Sequence, residues 1–511
     1  MSDSNNKRIA KNTLFLYIRM VLVMGVTLYT SRIVLFTLGV DDFGIYNVVG
    51  GIVILFAFLK GSITTAIQRY INFAIGIQDN KYKNIVFSSS FKILTIFALI
   101  IILILETIGL WFVNNKLTLP PNSIYITNIV YQLSIISFII SIYRTPYDAL
   151  IMAHEKMSFY AITSIIETVL KLAVAFSLTI IPINKLILYS ILILIVTTLM
   201  SIIYYIYCNK NYNLSAWGKT DKKIIKEITS FSGWNIFGGI ADVGYQQGTN
   251  IILNLFYGVS FNATMGIANQ IKGAIFSFVR NIIVAANPQI YQSFATNDLD
   301  RYQNIVVKIS KFAFFMFLVI AIPLIFNMDY ILKVWLIDTP PMANTFCILT
   351  IIFCTIDSFI GPLWTAAQAE GNIKTYQIVS SSITLLNLPI SYLCYYYKGP
   401  AYSLLIVQII LVIISLGYRI HYLSSKKLIS KKIYIRDVIK PSVLVLTISI
   451  LACVLIEKHT IIEPIYKLFI TVPLYISLTI IIISIFGINN EERKLIINLI
   501  RKFIHQNPVN L

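Results

Sequence analysis

Apolar residues run through this chain in long stretches, and polar or Pro/Gly punctuation breaks them every ~30–36 residues, a helical span of ~20 plus its loop. Helices satisfy their own backbone in lipid, whereas open strands do not. The pattern therefore predicts an all-α polytopic membrane protein with about fourteen transmembrane helices, ends uncertain by a few residues. They fall at 12–38, 42–74, 86–113, 122–151, 157–182, 185–208 and 224–257, then at 261–294, 305–328, 343–368, 373–397, 400–424, 438–456 and 463–486. Several exceed the minimum length and are expected to tilt, kink or protrude. An even number returns the C-terminus to the side of the N-terminus.

Composition agrees. The 511 residues are 57% hydrophobic and only 12% charged, against about 25% charged in soluble globular chains. That excludes an ordinary soluble enzyme and a disordered protein. The net charge of +19 raises the question of nucleic acid, which its distribution answers. Of the 41 Lys and Arg, 28 lie at helix ends, loops and tails on the N-terminal side. Six lie on the other side: Lys116, Lys185, Lys333, Lys398, Lys458 and Lys467. The asymmetry is a topology signal that places both termini in the cytoplasm, and no nucleic-acid partner is expected. The basic flank Lys7, Arg8 and Lys11 precedes an apolar stretch too long for a signal peptide, which reads as the first span. The five cysteines fall in apolar stretches without CxxC spacing, so no metal, disulfide or cofactor is expected. The longest external loop, about 327–343, and the longest internal one, about 209–223, leave no room for a catalytic domain.

Shifting the sequence by 220 residues lays Asn80–Val86 over Asp300–Val306 without gaps, and nine of the 35 positions from 56 to 90 are identical. The same register pairs Phe56 with Phe276, Ile63 with Ile283, and Lys60 with Arg280. The shift spans six helices, so the copies share orientation: a parallel repeat about an axis along the membrane normal. Two six-helix lobes are expected, 1–218 and 219–430, followed by two C-terminal helices and a cytoplasmic tail in 431–511.

The N-terminal wording then becomes recognisable. Arg8-Ile9-Ala10-Lys11-Asn12-Thr13 opens helix 1, and Leu38-Gly39-Val40-Asp41-Asp42-Phe43-Gly44-Ile45-Tyr46 leads into helix 2. This resembles the polysaccharide-biosynthesis flippases, the O-antigen repeat-unit translocases of the multidrug/oligosaccharidyl-lipid/polysaccharide (MOP) exporter superfamily. The close wording covers about the first 90 residues. The resemblance implies a MATE-like fold and transport of an undecaprenyl-diphosphate-linked oligosaccharide from the inner to the outer leaflet of a bacterial inner membrane. An O-antigen or capsular/exopolysaccharide repeat unit is the cargo, a proton or sodium ion the coupling ion, and other polysaccharide-assembly membrane proteins are further partners.

An ionised residue at the bilayer centre costs at least ~2.5–3.5 kcal/mol, so it should face a cavity or a partner. Lys60 and Arg280 lie mid-helix at equivalent repeat positions and are expected to clamp a diphosphate, Arg280 by bidentate hydrogen bonds. Arg19, Lys60 and Lys272 match, by helix and depth, the cavity cations that the resemblance implies on helices 1, 2 and 8. Arg32, nearer the outer end, either guides the headgroup outward or faces lipid headgroups. Lys92 can snorkel, Glu167 and Lys171 form an i,i+4 pair, and Glu106 sits near the outer interface. Asp242 lies among Gly233, Gly238, Gly239, Gly244 and Gly248, where a bent or partly unwound cavity-lining segment is expected. Asp242 and Asp357 are the ion-coupling candidates. The four histidines read as loop or tail residues.

Two rivals share parts of this picture. A multidrug or cation antiporter of the same superfamily would need an acidic or neutral cleft, whereas the spans hold seven cations against four acids. A polytopic glycosyltransferase would need extended external loops. No enzymatic activity is expected.

Overall fold

The computed structural model describes residues 2–54, 56–115, 123–180, 184–335, 340–459, 464–489 and 492–493, and every regular element among them is helical. The first helices are α1 (Ser2–Ile54), α2 (Ala57–Gly76), α3 (Asn80–Asn115), α4 (Ile124–Ala153), α5 (Met157–Ile180), α6 (Lys185–Tyr212) and α7 (Lys222–Tyr257). Then come α8 (Val259–Ala295), α9 (Leu299–Trp335), α10 (Ala343–Glu370), α11 (Lys374–Tyr396), α12 (Ser403–Ser425), α13 (Lys431–Lys458) and α14 (Leu468–Gly487). Among the described residues, eleven spans are long and apolar enough to cross a membrane. The other three expected crossings are 42–74, α7 and α8. They carry Lys60, the glycines around Asp242, and Lys272 with Arg280, which make them the polar members of the set.

Several boundaries differ from the sequence pattern. The break expected at 39–41 is a kink at one residue, Gly39 (φ 81, ψ 171), a conformation that L side chains avoid. No partly unwound segment is found around Asp242, because α7 is one continuous helix. One of its glycines serves packing instead: a Cβ on Gly248 would sit 2.8 Å from the Leu388 methyls. The expected external loop 327–343 is shortened, since α9 continues to Trp335. His421 lies within α12 rather than in a loop. Lys116, most of the C-terminal tail and His505 lie outside the described residues.

The chain divides into two compact units. One holds Ala10–Gly239 together with Tyr291–Asn297; the other holds Ile240–Ile290 and the residues from Asp298 onward, with the start of α1. In the first, α4 packs against α2, α3 and α6. Phe87, Phe91 and Tyr147 form an edge-to-face cluster with centroids 5.2–5.5 Å apart. In the second, α9 packs against α10 and α14, and α12 against α10 and α11. A buried ion pair, Lys311 Nζ to Glu492 Oε2 at 2.6 Å, ties α9 to the segment after α14.

The repeated segments share one local design. Gln78 and Asn297 both take φ 56, and each precedes an aspartate that caps the next helix. Asp79 accepts from the Tyr82 N–H at 2.8 Å and Asp298 from the Arg301 N–H at 3.1 Å. These caps align at a shift of 219, one less than the ungapped sequence match, which moves the register of the turn by one residue. Near this turn the Gln292 amide donates to Asn72 Oδ1 at 3.2 Å.

At the end of α4, the His154 ring stacks on Tyr212 at 4.3 Å. Burial, then the nearby Lys83 and Lys156 charges, push its pKa down to about 4. The folded protein therefore holds this histidine neutral, while the unfolded chain takes a proton near 6.5. The stability it contributes is complete above about pH 6.5 and is lost as pH falls toward 4. The melting temperature should decline over that window. His154→Phe, which keeps the stack, should flatten the decline when melting is followed against pH.

Candidate functional site

A cavity of about 640 Å³ lies inside the N-terminal unit. Helical spacing explains its walls. Tyr160, Ser164, Glu167 and Lys171 recur at i, i+4, i+7 and i+11 on α5, one face of a 3.6-residue helix. Arg144 and Asp148 are i,i+4 on α4, Lys60 and Thr64 on α2, and Arg19, Val23 and Thr27 form a stripe on α1. Beyond the Gly39 kink, α1 returns Phe43 and Tyr46 to the same space, opposite Tyr189 and Tyr204 of α6.

The charges there are graded. Lys171 Nζ lies 2.8 Å from Glu167 Oε1, and Arg144 Nη1 lies 3.2 Å from Glu167 Oε2. Arg144 Nε lies 3.6 Å from Asp148 Oδ2, an attraction but too long for a hydrogen bond. The Arg144 guanidinium also sits over Tyr204 at 5.1 Å, and that of Arg19 over Tyr160 at 4.7 Å. Arg19 Nε and Arg144 Nε are buried and have no hydrogen-bond partner among the described residues. A buried orphan donor costs roughly 1–3 kcal/mol, so both favour an acceptor. Four cations (Arg19, Lys60, Arg144, Lys171) face two acids (Asp148, Glu167). The wall can receive an anion.

The second unit contains a smaller cavity of about 210 Å³, lined by Asp242 and Tyr245 of α7, Lys272 of α8, Asp357 of α10 and Arg419 of α12. Gln246 donates to Asp242 Oδ2 at 3.0 Å, and the Lys272 ammonium lies 4.7 Å from the Phe353 ring centroid. Arg419 donates to Ser415 Oγ at 3.1 Å and also to the Tyr376 hydroxyl. Two cations and two acids balance here.

The structure thus brings Arg19 and Lys60 into one cavity, and Lys272, Asp242 and Asp357 into another. Arg280 and Arg32 are exposed and line neither of these two cavities. Lys60 and Arg280, the expected clamp, belong to different units. The sequence pattern does not single out Arg144, Asp148 and Arg419, charged residues toward the ends of their spans. The Arg144/Asp148 i,i+4 spacing within an apolar span was the available signal.

A bundle of long apolar helices with two internal charged cavities is the architecture of a multi-pass membrane protein. The sequence model of the polysaccharide biosynthesis protein family matches residues 9–294, and that of the MatE family matches residues 236–393. The chain belongs to the polysaccharide biosynthesis protein family. Solved structures share its fold at low identity. A MATE protein in its straight conformation is 12% identical, with a TM-score of 0.71 over 83% of this chain and 97% of its own. A variant of a Vibrio cholerae MATE transporter is 15% identical, with a TM-score of 0.70 over 84% and 99%. A MOP transporter from Pyrococcus furiosus, whose binding pocket is described as having reverse polarity that suggests a different function, is 11% identical, with a TM-score of 0.68 over 82% and 97%. No curated protein matches significantly.

Arg144 neutralises two acids inside the span region. Arg144→Ala should destabilise the protein by about 3–5 kcal/mol, because it leaves carboxylates uncompensated. Adding Asp148→Asn should recover part of that loss. Thermal unfolding of the purified single and double variants measures both effects.

Proposed function

We propose that the protein is a flippase that carries a diphosphate-linked oligosaccharide, an undecaprenyl-diphosphate-linked repeat unit of a surface polysaccharide, across a bacterial inner membrane. The observation that carries this reading is the excess of cations in the N-terminal cavity, together with the orphan guanidinium donors of Arg19 and Arg144. A diphosphate crossing a low-dielectric interior must exchange its water for fixed positive groups. Arg19, Lys60, Arg144 and Lys171 offer several moderate contacts, which suits a cargo that must also leave. In the Pyrococcus furiosus transporter a pocket of reverse polarity is linked to a different function. A cationic pocket here favours an anionic cargo over a cationic drug.

In this reading, lobes 1–218 and 219–430 rock to expose the site first to the cytoplasm and then to the periplasm. Both termini stay cytoplasmic, and 431–511 lies outside the symmetry. Lys272, Arg280 and Arg32 belong to the route of the headgroup rather than to its first cavity. Asp242 and Asp357, beside Lys272, carry the coupling proton or sodium ion.

Complementation of a strain that lacks its own flippase tests the reading, with polymer export scored and protein levels checked by blot. Arg19→Ala and Lys60→Ala should abolish export, Lys60→Arg should retain part of it, and Lys92→Ala should be tolerated. Normal export from the Arg19→Ala, Lys60→Ala double variant would contradict the cationic-cavity account.

A further inference from the structure

Beside the main cavity of the N-terminal unit lies a second chamber of about 290 Å³, which shares Tyr46, Arg144, Glu167 and Lys171 with it. The ion cluster is therefore a partition between two spaces. On α4, the chamber takes Ser134, Ser137 and Ser141, all on the Ile124 side of Arg144. Asp148 and Met152, on the Ala153 side, line only the main cavity of the two. The facing wall of α6 supplies Ser190 and Thr197. Ser134, Ser141, Ser190 and Thr197 each donate to a carbonyl of their own helix at 2.7–2.9 Å. Their protons are satisfied and their lone pairs remain as acceptors for water, between the apolar side chains of Val53, Phe138 and Ile193.

The cluster poses an electrostatic problem for the cargo, and the argument here rests on the diphosphate reading above. The cations that a diphosphate would use, Arg144 and Lys171, are already held by Glu167 at 3.2 and 2.8 Å. The groups facing Glu167 and Asp148 are Arg19 and Tyr46 of α1, Lys60 of α2 and Arg144 of α4. Tyr160 and Lys171 of α5 and Tyr189 and Tyr204 of α6 complete the set. In the empty cavity these cations favour an ionised carboxylate. A bound diphosphate takes over their charge and adds its own, and like charges crowded in such a site drive one of them to protonate.

We propose that Glu167 is a substrate-coupled proton site. The diphosphate displaces its carboxylate from Arg144 and Lys171, and the displaced carboxylate takes one proton from water through the hydroxyl-lined chamber. The carboxylate oxygen gains that proton, no bond in the cargo breaks, and the cations pass from carboxylate to phosphate. Release on the far side reverses the exchange. Asp148, which lines only the main cavity of the two, tunes Arg144 without receiving the proton.

The test is equilibrium binding of a UDP-sugar to the purified full chain between pH 6 and 8. This soluble diphosphodiester keeps a constant diphosphate charge over that range. Affinity should rise as pH falls, by up to about tenfold per pH unit for one proton taken up. Glu167→Gln should flatten that slope while still binding the UDP-sugar, and Asp148→Asn should keep it. Calorimetry of the unmodified protein in buffers of different ionisation heat should find about one proton taken up per ligand bound. That measurement does not depend on any variant folding. Zero proton uptake, or a slope that survives in Glu167→Gln, overturns the proposal. A slope lost in Asp242→Asn that survives in Glu167→Gln leaves the proton with Asp242 and Asp357 alone and overturns the assignment to Glu167. Absence of UDP-sugar binding at every pH overturns the diphosphate reading itself, and this inference with it.

Discussion

A charge inside a membrane span must be answered by an opposite charge, by water or by a cargo, and the placement of ionised groups in this protein follows from that constraint. Arg144 answers two carboxylates at once, with Glu167 at 3.2 Å and Asp148 at 3.6 Å. Lys171 completes the cluster at 2.8 Å from Glu167. Arg19 and Lys60 face the same cavity without an ion pair within 4 Å among the described residues, and Arg19 rests on an aromatic face instead. The segments that carry Lys60, the glycines around Asp242, and Lys272 are the least apolar of the expected spans. Those helices give up some lipid compatibility for a polar interior.

The two cavities solve the constraint differently. The N-terminal one holds more cations than acids and keeps orphan guanidinium donors. The other balances Lys272 and Arg419 against Asp242 and Asp357 in a third of the volume. An unbalanced site invites an ion of opposite sign, whereas a balanced one can change state when a single small cation enters. This division gives the units separate chemical characters.

Much of the fold was legible in the sequence, because helix length and hydropathy in a bilayer leave few alternatives. The helical spans and the break at Gly39 follow from it, and the helix cap at Asp79 recurs at Asp298, one residue off the expected register. The site was less legible, because hydropathy says how deep a residue lies but not which way it points. Lys272 and Arg280, eight residues apart, stand about 80° apart around a helix of 3.6 residues per turn; one lines a cavity and the other does not. Arg19 and Arg32 part in the same way on α1. Arg144 and Asp148 were hidden by their nearness to a helix end, where a charge ordinarily meets water. The glycines of α7 look like a broken helix and are helical, and among them Gly248 serves close packing against Leu388.

The central claim is that the N-terminal cavity prefers an anionic diphosphate headgroup to a cation. Native mass spectrometry of the purified protein with equimolar undecaprenyl diphosphate and a lipophilic cation of similar size addresses it directly. The account predicts that undecaprenyl diphosphate is retained and the cation is not, and that the Arg19→Ala, Lys60→Ala double variant loses this retention by tenfold or more, about 1.4 kcal/mol or above. Equal retention of both ligands, or a variant that holds the diphosphate as tightly as the unmodified protein, would contradict it.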